Sequence, residues 1–234
     1  MAQTFLDSFI TYKAKILYRG ATPPNSAKYY LCLANTTSLT RASTKADFVG
    51  SELPQINGYA RQAVTWATDG AFSNTTKRHN MPDSVATFQA SGSSFQFQTY
   101  FLLADASANA SKPFAPSAVN ASTNVITITA HGLANLDTIM FAADAGSTLP
   151  AGLAASTLYT AKNITTTTFE VWDSAGSAVI ALTGTGSGTF TLKYANGTAV
   201  SLEVRSSVAL LQPNQVLTYT LTLAEMNVTY GNGV

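Results

Sequence analysis

Few of the 234 residues carry side chains equipped for chemistry. The two histidines, His79 and His131, lie far apart, and neither has a Cys or second His at metal-ligand spacing, so no metal site is expected. Cys32 sits inside the apolar run Tyr29-Tyr30-Leu31-Cys32-Leu33, where it reads as a buried strand thiol; one cysteine cannot form a disulfide within a chain. The acidic residues are scattered singly, and nothing selects a glycosidase pair such as Asp144 with Asp173. Gly184-Thr185-Gly186-Ser187-Gly188 lacks the Lys-Ser/Thr and the following helix of a phosphate loop, so it reads as a hairpin turn. There is no Gly-x-Ser-x-Gly elbow, and a hydrolytic triad would need one of two distant histidines. The expectation is a non-enzyme with no catalytic residue, no metal and no cofactor.

Three side chains remain as candidates for contact with a ligand or partner. Trp172 and Tyr194 would serve as a sugar-stacking platform if their rings were exposed, although aromatic residues at strand positions are by default core. Arg61 stands in Gly58-Tyr59-Ala60-Arg61-Gln62-Ala63-Val64-Thr65-Trp66, a turn from Asn57-Gly58 feeding a strand. It is expected to pair locally or across a subunit contact, local pairing being favoured, while Tyr59 packs the surrounding core.

Composition sets the elements that must position these residues. Hydrophobic residues make up 46% of the chain but charged ones only 11%, with Thr, Ser, Asn and Ala in their place. That exchange disfavours solvent-facing helices and suits strands. A net charge of +1 gives no field to hold nucleic acid or an anionic membrane, and it is weak protection against self-association. Met1-Ala2-Gln3 begins no secretory signal and no run is apolar enough to span a membrane, which points to synthesis in a cytoplasm.

Along the chain, Phe5, Phe9, Tyr12 and Ile16 recur at helical spacing from Thr4 to about Arg19, with Thr4 as the cap and Gly20 as the stop. Strands follow at Tyr29 to Ala34 and Gly58 to Trp66, separated by a Thr-rich connection and a loop. Lys77-Arg78-His79-Asn80 reads as a loop, and Phe88-Gln89-Ala90 and Phe95 to Leu103 as strands. Small polar residues from Ala104 to Ser122 read as a linker. Short strands then recur at Val125–Thr129, Thr138–Phe141, Leu158–Asn163, Thr168–Trp172, Ala178–Leu182 and Thr189–Tyr194. Alternation resumes around Val200 to Val204 and Leu217 to Leu223. The expected fold is mainly β: a discontinuous β-sandwich base of residues 1–116 and 195–234 with a short N-terminal helix, and an inserted small β-sandwich or barrel of residues 117–194.

Two parts of the sequence resemble virion proteins of tailed bacteriophages. The helix Phe5 to Leu17, Tyr29 to Ala34, Glu52, Gly58-Tyr59-Ala60-Arg61-Gln62, Leu103-Ala104-Asp105-Ala106 and Leu211-Gln212-Pro213-Asn214-Gln215-Val216-Leu217 resemble small tail-fibre or decoration-like proteins. Asn124-Val125-Ile126-Thr127-Ile128-Thr129, His131-Gly132-Leu133, Leu149-Pro150-Ala151-Gly152-Leu153, Leu158-Tyr159, Phe169-Glu170-Val171 and Gly186-Ser187-Gly188-Thr189-Phe190 resemble a β module of phage tail and other virion proteins. The second departs at Leu136-Asp137, where Gly-Asp is more usual. The resemblance implies a structural protein made in the bacterial host cytoplasm and carried in the virion. Its base would dock on the capsid, as decoration, or on the tail, with other virion proteins and copies of itself as partners. Decoration is slightly favoured, since no coiled-coil heptad or fibrous repeat is present. The alternative is a tail-fibre adhesion module binding a host-surface glycan.

Overall fold

The computed structural model describes residues 4–20, 28–65, 71–73, 78–80 and 83–221. In chain order the first part forms β1 (Thr4–Phe5), α1 (Asp7–Arg19), β2 (Tyr29–Ala34), α2 (Lys45–Ser51), β3 (Gln62–Val64), β4 (Ala71–Ser73), β5 (Arg78–Asn80), β6 (Ser84–Gln89) and β7 (Phe95–Ala104). Then come β8 (Ser111–Phe114), β9 (Val119–Asn120), β10 (Val125–Thr127), β11 (Thr138–Ala143), β12 (Tyr159–Lys162), β13 (Thr168–Trp172) and β14 (Phe190–Tyr194). Two strands close the described chain, β15 (Thr198–Leu211) and β16 (Val216–Leu221). The fold is mainly β, as expected, and all strand pairing is antiparallel.

The base is a five-stranded sheet, ordered β1-β15-β7-β2-β3, facing a β6-β16 ribbon. Its central strand β7 pairs on one side with β2, where Phe101 lies opposite Cys32, and on the other with β15. On the ribbon Ser84, Ala86 and Phe88 are buried and alternate with exposed Val85, Thr87 and Gln89, so one face meets the sheet and the other meets solvent. Tyr100 of β7 stacks on Tyr219 of β16 with ring centroids 4.2 Å apart. The β4-β5 hairpin stands as a separate pair, so Arg78–Asn80 is strand where a loop was expected.

The second sheet runs β8-β14-β11-β12-β13-β10-β9 over its own core, which includes Phe114, Phe141, Phe169 and Phe190. Ala104 at the end of β7 is the direct partner of Thr198 at the start of β15, so everything from 105 to 197 occupies the loop position of one hairpin. The linker expectation needs correction at its end. Ser111–Phe114 joins the second sheet beside β14 because Phe114 packs its ring against Phe141 and Phe190. Pro113 is compatible with that strand because β8 is the edge, where a missing N–H costs no ladder bond. Ala178–Leu182 is not a strand; it contributes one isolated bridge, Val179 to Trp172.

Local signals account for the helices. α1 ends on Gly20 at φ 67°, whose N–H bonds to Lys15 O. Thr4 is not its cap; its backbone pairs with Leu202, and the cap position falls to Leu6. α2 begins at a capping box in which Thr44 and Asp47 bond each other's backbone N–H. Of the expected strand from Gly58 to Trp66 only Gln62–Val64 pairs, while Trp66 lies outside the described residues, as do the Asp69-Gly70 turn, Met81-Pro82 and Leu223.

Candidate functional site: a buried ion cluster between the two sheets

Asn57 and Gly58, at φ 54° and 84°, make the turn that aims the next residues inward. A Cβ on Gly58 would lie 2.5 Å from Gln89 O, so only glycine fits there. Tyr59 then packs between Phe88 and Phe95, its ring 6.2 Å from the first and 6.0 Å from the second. Its hydroxyl accepts from Leu33 N–H at 3.1 Å and donates to Glu52 Oε1 at 2.8 Å.

Glu52 is the C-cap of α2, and its carboxylate faces Arg61. Arg61 Nε donates to Oε1 at 2.8 Å and Nη2 to Oε2 at 2.6 Å, a fork-to-fork pair with the two side chains 0% and 2% exposed. The guanidinium has donors left over. Nη2 also reaches Tyr194 O at 2.8 Å, at the end of β14, and Nη1 reaches Ser107 O at 2.9 Å, in the segment that leads into the second sheet.

Lys193 makes the reciprocal connection. It projects from β14 back to the end of α2, where Nζ donates to Val49 O at 3.0 Å, Gly50 O at 2.7 Å and Glu52 O at 3.2 Å. An ammonium has three protons, and here each has a carbonyl. These oxygens are the ones a helix end leaves unpaired, at the negative pole of its dipole. Val49, Met140 and Ala195 close a small apolar cluster beside the ammonium. Gln55 adds a polar clasp: its N–H donates to Ser111 Oγ at 2.8 Å and its Oε1 accepts from Ala110 N–H at 2.9 Å.

The electrostatics follow from burial. Glu52 balances one of the two cations, and the surplus positive charge is solvated by the five carbonyls just named. Burial would pull the Arg61 guanidinium down, but Glu52 holds it above its ordinary value. Burial draws Lys193 below its usual range, with Glu52 opposing and Arg61 adding to the fall. Desolvation first, and the Glu52 charge second, push Cys32 and Tyr59 well up, which favours the protonated form of both. The cluster is buried, with Glu52, Arg61 and Lys193 only 4%, 5% and 7% exposed.

No protein-family model, no curated protein and no solved structure matches the chain.

Arg61 pairs locally, as expected, with the added link to Tyr194 O, and it is 5% exposed. Tyr194 is 1% exposed and its hydroxyl donates to His131 O, which corrects its candidacy as a sugar platform. Trp172 is half-buried on the outer face of β13; Lys162 Nζ sits 4.4 Å from its ring centroid and Nε1 donates to Glu170 Oε2 at 3.1 Å. These three residues do not form one site. His131 is buried against Phe169, and its Nδ1 accepts from Leu133 N–H at 3.0 Å. Lys193 was missed altogether. Its partners are backbone carbonyls, which leave no mark in a sequence; the available signal was a lone lysine in an otherwise uncharged strand.

Proposed function

We propose that the chain is a structural protein of a tailed-phage virion, whose base docks on the capsid or tail and holds the second β unit at a fixed attitude. The observation that carries the mechanical part is the reciprocal pair of buried cations: Arg61 reaches from the base to Tyr194 O, and Lys193 reaches from the second sheet to the end of α2. A tether would need neither, whereas a rigid projecting part needs contacts that resist rotation. The virion setting rests on the resemblance of the Gly58–Gln62 and Asn124–Leu133 segments to phage structural proteins. The base would meet the other virion proteins, and decoration of the head is slightly preferred to a tail position.

The test is quantitative mass spectrometry of purified particles from cells producing the protein, with its position found by cryo-electron microscopy. A copy number that scales with the capsid lattice supports decoration; a handful of copies at the tail leaves a virion protein but removes decoration. Particles that lack the chain would sink the reading. A glycan-binding role for Trp172 is weaker, because the ring already carries the Lys162 ammonium.

A further inference from the structure

Side-chain donors and acceptors inside a fold are nearly all paired, so a place where donors are left over indicates what would complete it. Such a place lies beside the junction. A half-open pocket of about 240 Å³ is lined by Gln55 of the base, by Asn109, Ser111 and Lys112 of the segment entering the second sheet, and by Ala130 and Tyr194.

The oxygens on its walls already accept. Gln55 Oε1 takes the Ala110 N–H at 2.9 Å, Ser111 Oγ takes the Gln55 N–H at 2.8 Å, and Ala130 O takes Lys112 Nζ at 2.6 Å. Tyr194 O is held by Arg61, and the Tyr194 hydroxyl is turned away to His131 O. What remains is donors. The Oε1 contact fixes which end of the Gln55 amide is nitrogen and leaves Nε2 with no partner among the described residues. Ser111 keeps its hydroxyl proton, and Lys112, which also donates to Thr129 O at 2.8 Å, keeps a third ammonium proton. The Asn109 side-chain amide makes no hydrogen bond to any described residue and can present its NH2 as a fourth donor.

Charge points the same way. No carboxylate lines the pocket, and Lys112 is its one ion. Through Tyr194 O the Arg61 guanidinium stands directly behind the wall, with the surplus positive charge of the junction. Leftover donors in a positive field call for a ligand that accepts on every side.

We propose that this pocket binds one oxyanion of phosphate or sulfate size, Lys112 supplying the charge and Gln55, Ser111 and Asn109 the neutral hydrogen bonds. The anion is held from both units at once, since Gln55 belongs to the base and Lys112 to the second sheet. The site requires nothing of the virion reading and stands or falls apart from it.

Titration of the full chain with inorganic phosphate, against sodium chloride of equal ionic strength and followed by proton–nitrogen NMR, tests the site. The Gln55 and Asn109 side-chain amide signals should shift saturably with a dissociation constant of roughly 1 mM, and the melting temperature should rise in phosphate but not in chloride. Gln55→Glu keeps the oxygen that holds Ala110 N–H and puts a negative oxygen where the NH2 stood. It should match the parent's urea midpoint in chloride and bind phosphate at least about tenfold more weakly. Asn109→Asp, which loses no hydrogen bond, repeats the test should Gln55→Glu fold poorly, and Lys112→Met should also weaken binding about tenfold. A sugar phosphate as second probe separates the sources: tighter binding than inorganic phosphate assigns the group to a larger ligand, equal or weaker binding to the free ion. No saturable shift, a shift that chloride reproduces, or unchanged phosphate affinity in a well-folded Gln55→Glu or Asn109→Asp would each overturn the proposal.

Discussion

Two arginine–carboxylate pairs in this chain are almost equal in length and unequal in consequence. Arg41 Nη2 lies 2.7 Å from Asp7 Oδ1 on side chains 55% and 59% exposed, while Arg61 Nη2 lies 2.6 Å from Glu52 Oε2 on side chains 0% and 2% exposed. At the surface, water screens the attraction and either ion is solvated well without the other. At the junction neither has that option, and the cost of desolvation is offset only because Tyr59, Ser107 and Tyr194 complete the hydrogen bonds. Wetting, rather than distance, decides which pair holds the molecule together.

The comparison breaks most readily at the buried pair. Arg61→Ala strands the Glu52 carboxylate and should cost about 3–5 kcal/mol, read as a fall in the urea midpoint. Arg61→Lys should recover little of this, since an ammonium cannot make the fork. A variant within about 1 kcal/mol of the parent would show that the pair is not what secures the junction. Lys193→Met keeps the stem and removes three donors; about 1–3 kcal/mol should be lost, with faster protease cleavage between residues 105 and 110. Unchanged cleavage would mean that the Arg61 links suffice alone.

A third test uses pH. Burial holds His131 below its ordinary value of 6.5, with nearby Lys112 acting in the same direction and the Thr165 and Thr168 backbone opposing. The unfolded chain then binds the proton more readily than the folded one, so stability is complete above the unfolded value and is lost as pH falls from it towards the folded value. Urea midpoints taken from about pH 8 to about pH 5 should decline in the parent and decline less in His131→Gln. An identical decline in both would assign the acid sensitivity elsewhere. The smallest effect belongs to Arg41→Ala, expected below about 1 kcal/mol and shrinking further in salt. A larger loss would upset the contrast from the exposed side.

Much of the fold is legible in the sequence where alternation is regular. β6 and β13 bury every second residue, β7 alternates only at its start before it becomes mostly buried, and β11, β12 and β14 are short strands with consecutive buried residues, legible as apolar runs between turns; β15 starts close to where alternation resumes after the second unit. α2 is not legible: it has only seven residues, includes Gly50 and follows a Thr-rich stretch, although Thr44 with Asp47 was a usable start signal. β8 escapes for a different reason, since Ser-Lys-Pro reads as linker and only Phe114 makes it part of a core. At the junction, Arg61 stands out because a guanidinium beside a turn is conspicuous and Glu52 is near in sequence. Lys193 and the Ser107 and Tyr194 carbonyls come together only through tertiary folding, which no spacing rule encodes.

The pairing of Ala104 with Thr198 also governs the order of assembly. To form β7 against β15 from an open chain, a loop of roughly ninety residues must close, at an entropic cost of about 4 kcal/mol on the logarithmic scale of loop length. If the second sheet condenses first, it brings β8 and β14 side by side and delivers the two ends nearly together, so the central strands of the base meet as in a short hairpin. Refolding followed separately in the two units should therefore show the inner one leading and the outer one waiting for it. Slowing the inner unit alone should delay both.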